Sequence, residues 1–309
     1  MFTLPYDLNP VIRQNREKCL SLLFRSAAET LQAFSINNLK ARLGITAVLH
    51  TWGQTLCEHY HLHAIVTGGG ISLDERRWIE ASGKRLFAVK ALSHVFRAKY
   101  LAGLQALYAK GELEFHGQAQ RLAKAKAFAQ LLGQSARKKW VVYSKMPFGG
   151  PDQVLKYLSL YTHRAGIADG RILSVQEKTL KMRFAYKAYA DGSKAKKIRL
   201  GLDEFLRRFC LHVLPPRFVK IRHYGILSNS QRKALVQRSI VLIQRIRDSA
   251  KEPQAVREPE PPAEQANQTI QQRLPRCPWC GSDKLTKIGT LRNGFSEEPA
   301  VLYQAIASG

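Results

Sequence analysis

A chain of 309 residues with 45% apolar content has material enough for one large domain or two ordinary ones. Its 49 Lys and Arg against 23 Asp and Glu leave +26 at neutral pH, an excess that a compact fold tolerates best beside a polyanion, so nucleic acid is the leading partner. No run approaches ~18 apolar residues, no signal-peptide pattern opens the chain, and five scattered cysteines make no disulfide framework, so no membrane role is expected and the protein reads as cytoplasmic.

The opening M-F-T-L-P-Y-D-L-N-P reads as a strand stub ended by Pro5 and Pro10, followed by an amphipathic helix from Val11 to about Leu39. Residues 44–56 and 61–67 are β-rich and separated by the short polar C-E-H-Y, which predicts an antiparallel hairpin. Helical periodicity returns over 84–132, with Phe87, Leu92, Phe96, Tyr100 and Leu104 on one face, and the short strand K-W-V-V-Y follows at 139–143. Pro151 and Asp152 open a helix, D-Q-V-L-K-Y-L-S-L-Y-T-H-R, which Gly166 ends. Beyond it come R-I-L-S-V, T-L-K-M-R-F-A-Y-K, the turn A-D-G-S, the strand K-K-I-R-L, and a helix from near Asp203 that stops before Pro215-Pro216. Strands and helices mixed without βαβ alternation predict an α+β fold on a largely antiparallel sheet. Residues 249–275 lack large apolar side chains and carry several prolines, the composition of a disordered linker.

Two clusters carry chemistry. His61 and His63, two apart on a strand, share a face and can share one metal ion; the competing reading is an exposed strand end with solvated imidazoles. A third ligand is needed, for which Gln54 is the choice, with His50 and Glu58 as competitors; open positions would then suit Mg²⁺ or Mn²⁺. Tyr157 and Tyr161, four apart in a helix, lie on one face, either as core aromatics or as phenols able to attack a phosphodiester. A phenol of pKa near ~10 needs activation and the phosphate needs its charge offset, which a metal on His61 and His63 would supply. Gly68, Gly69 and Gly70 suit close backbone approach, though a plain loop accounts for them equally.

Five blocks in order, F-T-L-P (2–5), V-L-H-T-W-G-Q (48–54), H-L-H-A-I-V-T-G-G-G (61–70), Y-L-S-L-Y-T-H-R (157–164) and E-F-L-R-R-F-C-L-H-V-L-P (204–215) with K-I-R-H-Y-G, resemble the two-tyrosine HUH rolling-circle transposases of the insertion-sequence-91 type. The resemblance implies an HUH nuclease core with an RRM-like antiparallel sheet flanked by helices over residues 1–168, and a basic β-hairpin and helix extension over 169–248. It also implies that His61 and His63 bind a divalent metal and that Tyr157 and Tyr161 attack single-stranded DNA at transposon ends, forming 5′-phosphotyrosine links. Lys145, Lys156, Arg164, Arg171 and Arg222, with Arg183 and Lys220, would follow the phosphate backbone, and Trp52 or Tyr143 could stack bases. Family members usually carry a cysteine-rich zinc-binding domain ahead of F-T-L-P, whereas the match here begins at Met1. A truncated, non-catalytic single-stranded DNA-binding remnant is therefore one alternative, and a phosphodiesterase using water as nucleophile is another. In the tail over 276–309, Cys277 and Cys280 have the spacing of half a zinc knuckle, and with two of four ligands zinc is not expected there.

Overall fold

The computed structural model describes residues 1–81, 86–162, 166–249, 285–291 and 300–305. The chain divides into two units, Met1–Glu252 and Pro253–Gly309. In the second, β9 (Leu285–Leu291) and β10 (Ala300–Ala305) pair antiparallel. The expected linker, Cys277 and Cys280 lie outside the described residues.

The first unit is α+β. In chain order it holds β1 (Phe2–Thr3), α1 (Asn9–Gln14), α2 (Arg16–Phe34), β2 (Ala41–Trp52), β3 (Glu58–Ser72), β4 (Trp78–Glu80), α3 (Val89–Ala109), α4 (Ala125–Arg137) and α5 (Pro151–Thr162). There follow β5 (Ile172–Gln176), β6 (Lys181–Ala188), β7 (Lys194–Gly201), α6 (Leu202–Cys210), β8 (Ile221–Gly225) and α7 (Arg232–Ser249). The main sheet runs β1-β3-β2-β8, with β4 on the far end of β3, and every pairing is antiparallel.

Alternation along the two long strands separates two environments. Leu43, Ile45, Ala47 and Leu49 of β2 and Tyr60 and Leu62 of β3 point into the main core, where α2 (Leu20, Leu23, Phe24, Leu31) and α3 (Leu92, Phe96, Tyr100, Leu104) cover them. Burying each such side chain contributes about 1.5–3 kcal/mol, which makes this face the stable platform. The intervening residues, His50 of β2 and His61 and His63 of β3, are left on the opposite face.

The expected first helix is broken in two. Asn15 leaves helical geometry (φ −119°, ψ 43°), and its buried amide donates to Val11 O and Glu114 O while its Oδ1 accepts from the Glu114 N–H. A side chain that satisfies three backbone groups competes with helix continuation. The segment 139–143, expected as a strand, makes one bridge, Val142 to Phe2, flanked by Thr3 N–H to Val141 O and Tyr143 N–H to Met1 O at 3.0 Å each. Its extent is limited by the two-residue β1 it pairs with. Phe2 then packs edge-on against Phe96, centroids 5.0 Å apart, tying this edge to the core.

The strand β8, in K-I-R-H-Y-G, has no apolar alternation to announce it. It forms because β2 offers a free edge: Val48 to Gly44 pair with Ile221 to Gly225. A second sheet, β5-β6-β7, covers its own small core of Leu56, Met182, Phe184 and Phe205. Among the described residues no helix is long and apolar enough to cross a membrane.

Candidate active site

The turn of the hairpin fixes the site. It falls at Gly53–Cys57, closed by Gly53 N–H to Cys57 O (2.9 Å) and Leu56 N–H to Gly53 O (3.1 Å), rather than at the expected Cys57–Tyr60. The resulting register sets His50 opposite His61, and Val48 opposite His63. Residues directly opposite in a ladder share a face, so three imidazoles converge. Their ring centroids lie 5.3 Å (His50–His61), 4.7 Å (His50–His63) and 5.1 Å (His61–His63) apart, and a nitrogen from each falls within 4.8 Å of the others. All three are buried.

The tighter turn also moves the expected third ligand. Gln54 lies in the turn itself, where its Oε1 accepts from the Lys187 N–H (3.3 Å) and its carbonyl from Arg171 Nη2; the third member of the cluster is His50. Glu58 points to the core side of β3. Its carboxylate takes both an Nε hydrogen bond and an ion pair from Arg13, and accepts from Tyr60 Oη at 2.7 Å.

The donor set suits a divalent cation. The carbonyl of His59, 2.8 Å from His61 Nδ1, can only accept, so His61 carries its proton on Nδ1 and keeps the Nε2 lone pair for a metal. Burial pushes the His61 pKa well below the usual imidazole value. Burial, aided by neighbouring His50, pushes that of His63 down to about 3. Neutral rings need release no proton on binding.

The tyrosine helix meets this cluster. Tyr157 Oη sits 2.7 Å from His63 Nδ1, and its ring leans on Phe148 at 5.3 Å. The core-aromatic reading of this tyrosine therefore does not hold: its phenol is at the histidines. Tyr161 follows one turn later in the backbone of α5; its side chain and Arg164 lie outside the described residues. The loop entering α5 shapes a cleft of about 370 Å³ lined by Tyr143, Lys145, Met146, Phe148 and Gln153, with Tyr143 and Met146 exposed. Lys145 and Lys156 are exposed as well.

Two of the expected backbone-tracking arginines, Arg171 and Arg222, have internal partners, whereas Arg183 is exposed. Arg171 donates through Nε to Ala185 O (2.9 Å) and through Nη2 to Gln54 O, pinning β6 to the hairpin turn. Arg222 lies over Phe24 (4.5 Å) and Phe218 (5.0 Å) and donates to Ser21 Oγ. Trp52 stacks on His50 (5.0 Å, 16°) with Lys220 Nζ 5.3 Å from its ring, and burial lowers the Lys220 pKa. His212 carried no signal on its own. It accepts from Thr51 Oγ1 (3.2 Å) at Nδ1, donates from Nε2 to Leu56 O (2.9 Å), and so buttresses the turn from which Trp52 and His50 project.

Residues 44–234 match the sequence model of the family described as "Y2_Tnp: Putative transposase". The chain is 36% identical over 290 residues to "Putative transposase y4qJ" of Sinorhizobium fredii, covering 93% of this chain and 72% of that protein. It is 27% identical over 230 residues to "Transposase for insertion sequence element IS801" of Pseudomonas savastanoi pv. phaseolicola, covering 74% of this chain and 53% of that protein. No solved structure matches.

Proposed function

The chain belongs to the Y2_Tnp family of insertion-sequence-91-type transposases, and from that premise we propose that it cuts single-stranded DNA at transposon ends and transfers the strand through tyrosine links. The observation that carries this reading is the 2.7 Å approach of Tyr157 Oη to His63 inside a three-histidine cluster.

A divalent cation held by His50, His61 and His63 would offset the charge of the scissile phosphate and polarise it. Three nitrogen donors favour Mn²⁺ over Mg²⁺, which prefers an oxygen shell. His63 would hold the cation through its other nitrogen, which would leave the proton on Nδ1, 2.7 Å from the Tyr157 oxygen, where its donation would favour the phenolate. That oxygen attacks phosphorus, the P–O3′ bond breaks, and the departing oxygen takes up a proton to leave a free 3′-hydroxyl beside a 5′-phosphotyrosine. Tyr161 performs a second cleavage of the same kind. A 3′-hydroxyl then attacks the phosphotyrosine, the P–O(Tyr) bond breaks, and the strand is rejoined without loss of the bond energy. Lys145 and Lys156, with Arg164, offer charge to the incoming backbone, and the cleft beside Tyr143 offers a surface for an unpaired base. The protein would work on DNA in the cytoplasm.

The test is an adduct assay. Full-length protein is incubated with single-stranded transposon ends and Mn²⁺, denatured, and examined for DNA that stays attached. Adduct that disappears in Tyr157→Phe/Tyr161→Phe supports strand transfer. Hydrolysis with no adduct would instead make the protein a phosphodiesterase using water, and binding alone would make it a non-catalytic DNA-binding remnant.

A further inference from the structure

The β5-β6-β7 sheet has one face on its small core and one in solvent, and the solvent face has an unusual composition. On β6 the outward residues are Lys181, Arg183, Ala185 and Lys187; opposite them on β7 stand Gly201, Arg199, Lys197 and Ala195. The inward residues of β6, Met182 and Phe184, are buried in the core with Phe205. The outward cations Lys181, Arg183, Lys187, Lys197 and Arg199 are all exposed. The two outward residues that β5 adds, Ser174 and Gln176, are uncharged, and among the described residues none of the five cations is in an ion pair. Arg183 and Arg199 are direct cross-strand partners. Like charges placed opposite each other cost stability, so this arrangement is unfavourable for the isolated protein and becomes favourable only when a polyanion covers it.

The neighbours of this face fix where that polyanion would lie. The Lys187 N–H donates to Gln54 Oε1, and Arg171 links Ala185 O to Gln54 O, so β6 is fastened to the turn of the hairpin that carries His50 and His61. Arg199 is held in place by its Nη2 hydrogen bond to Gln176 Oε1 at 2.8 Å. No aromatic side chain stands at an outward position of β6 or β7. A surface that grips unpaired bases needs stacking rings, whereas one that offers only ordered cations addresses phosphates. The highest density of phosphates is that of a duplex, about one charge per 1.7 Å of axis.

From this charge complementarity we propose that the outer face of β6 and β7 binds base-paired DNA flanking the unpaired segment held at the histidine cluster. The proposal rests on the DNA-cleaving reading for its geometry, but its test does not require cleavage. Full-length protein is titrated with a fluorescent 20-base-pair duplex, and separately with one strand of it, over a series of salt concentrations. In Lys181→Gln/Lys187→Gln/Lys197→Gln/Arg199→Gln the slope of log affinity against log salt for the duplex should fall by about 3–4, at about 0.9 per phosphate contact. Single-strand affinity should fall less than about threefold, and the charge-preserving Arg183→Lys/Arg199→Lys should keep the native slope. Removing like charges should leave the melting temperature unchanged or raised. Were the fourfold variant to melt lower, Lys187→Gln/Lys197→Gln alone should still remove about 2 from the slope. An unchanged duplex slope, or equal losses on duplex and single strand, overturns the proposal. A native protein that forms no tyrosine adduct but shows the predicted slope change would sink the catalytic reading and leave this one standing.

Discussion

At the scale of single residues, His50 owes its place to a turn and Glu58 owes its silence to a neighbour. Each of His50→Ala, His61→Ala and His63→Ala should weaken Mn²⁺ binding by about a hundredfold, while Gln54→Ala leaves it unchanged, as read by calorimetry with the metal alone. A Gln54→Ala loss matching the histidine losses would dismantle the triad. Glu58 answers to pH. Burial alone would raise its pKa, but hydrogen bonds from Arg13 and Tyr60, with the Arg13 charge, more than reverse that and leave it below the ordinary glutamate value. A depressed folded-state pKa contributes stability above the unfolded value of ~4.3 and loses it as pH falls through the folded value. Glu58→Gln should therefore cost about 1–2 kcal/mol at pH 7, discounted because the Arg13 side chain is 44% exposed. Urea melts should show that difference shrinking as pH drops below about 4. Sequence spacing made the His61–His63 pair legible because a strand has period two. It ranked His50 with Glu58 as a competitor behind Gln54, because the third ligand depends on hairpin register, which a shift in turn position changes wholesale.

At the scale of elements, two glycines show where backbones approach too closely for a side chain. Gly225 ends β8 at φ +63°, and a Cβ there would stand 1.8 Å from Leu43 O; at Gly70 it would stand 2.4 Å from Arg42 O. Gly225→Ala and Gly70→Ala should each cost about 2–3 kcal/mol or more in chemical denaturation, whereas Gly68→Ala, which meets nothing within 4 Å, should be near neutral. The glycine run thus belongs to a strand, and Gly70 supports the close-approach reading over the loop reading. The long hairpin, the tyrosine helix and the basic meander were all readable in the sequence, since each carries its own period or turn chemistry. The strand β8 was not: it is five half-buried residues whose partner lies far away in the chain. The break at Asn15 was hidden for a similar reason, because the groups its amide satisfies around Glu114 come from another part of the fold.

At the scale of the whole molecule, the +26 charge sets the response to salt. Self-repulsion is screened as the Debye length shrinks from ~30 Å at 0.01 M to ~10 Å at 0.1 M, so the melting temperature of the DNA-free protein should rise by several degrees over that range. DNA affinity should fall over the same range, and a protein whose stability and affinity moved together would contradict this account of its charge. The closing of β8 onto β2 has a consequence for how the protein comes into being. Thr46 and His223, hydrogen-bonded at 3.0 Å, are 177 residues apart, so a ribosome must make nearly the whole first unit before the edge beside the histidine hairpin can be sealed. Contacts this distant form late. An interrupted nascent chain would carry the histidines and the tyrosines yet lack the strand that holds their platform together, and would be released with that platform unfinished.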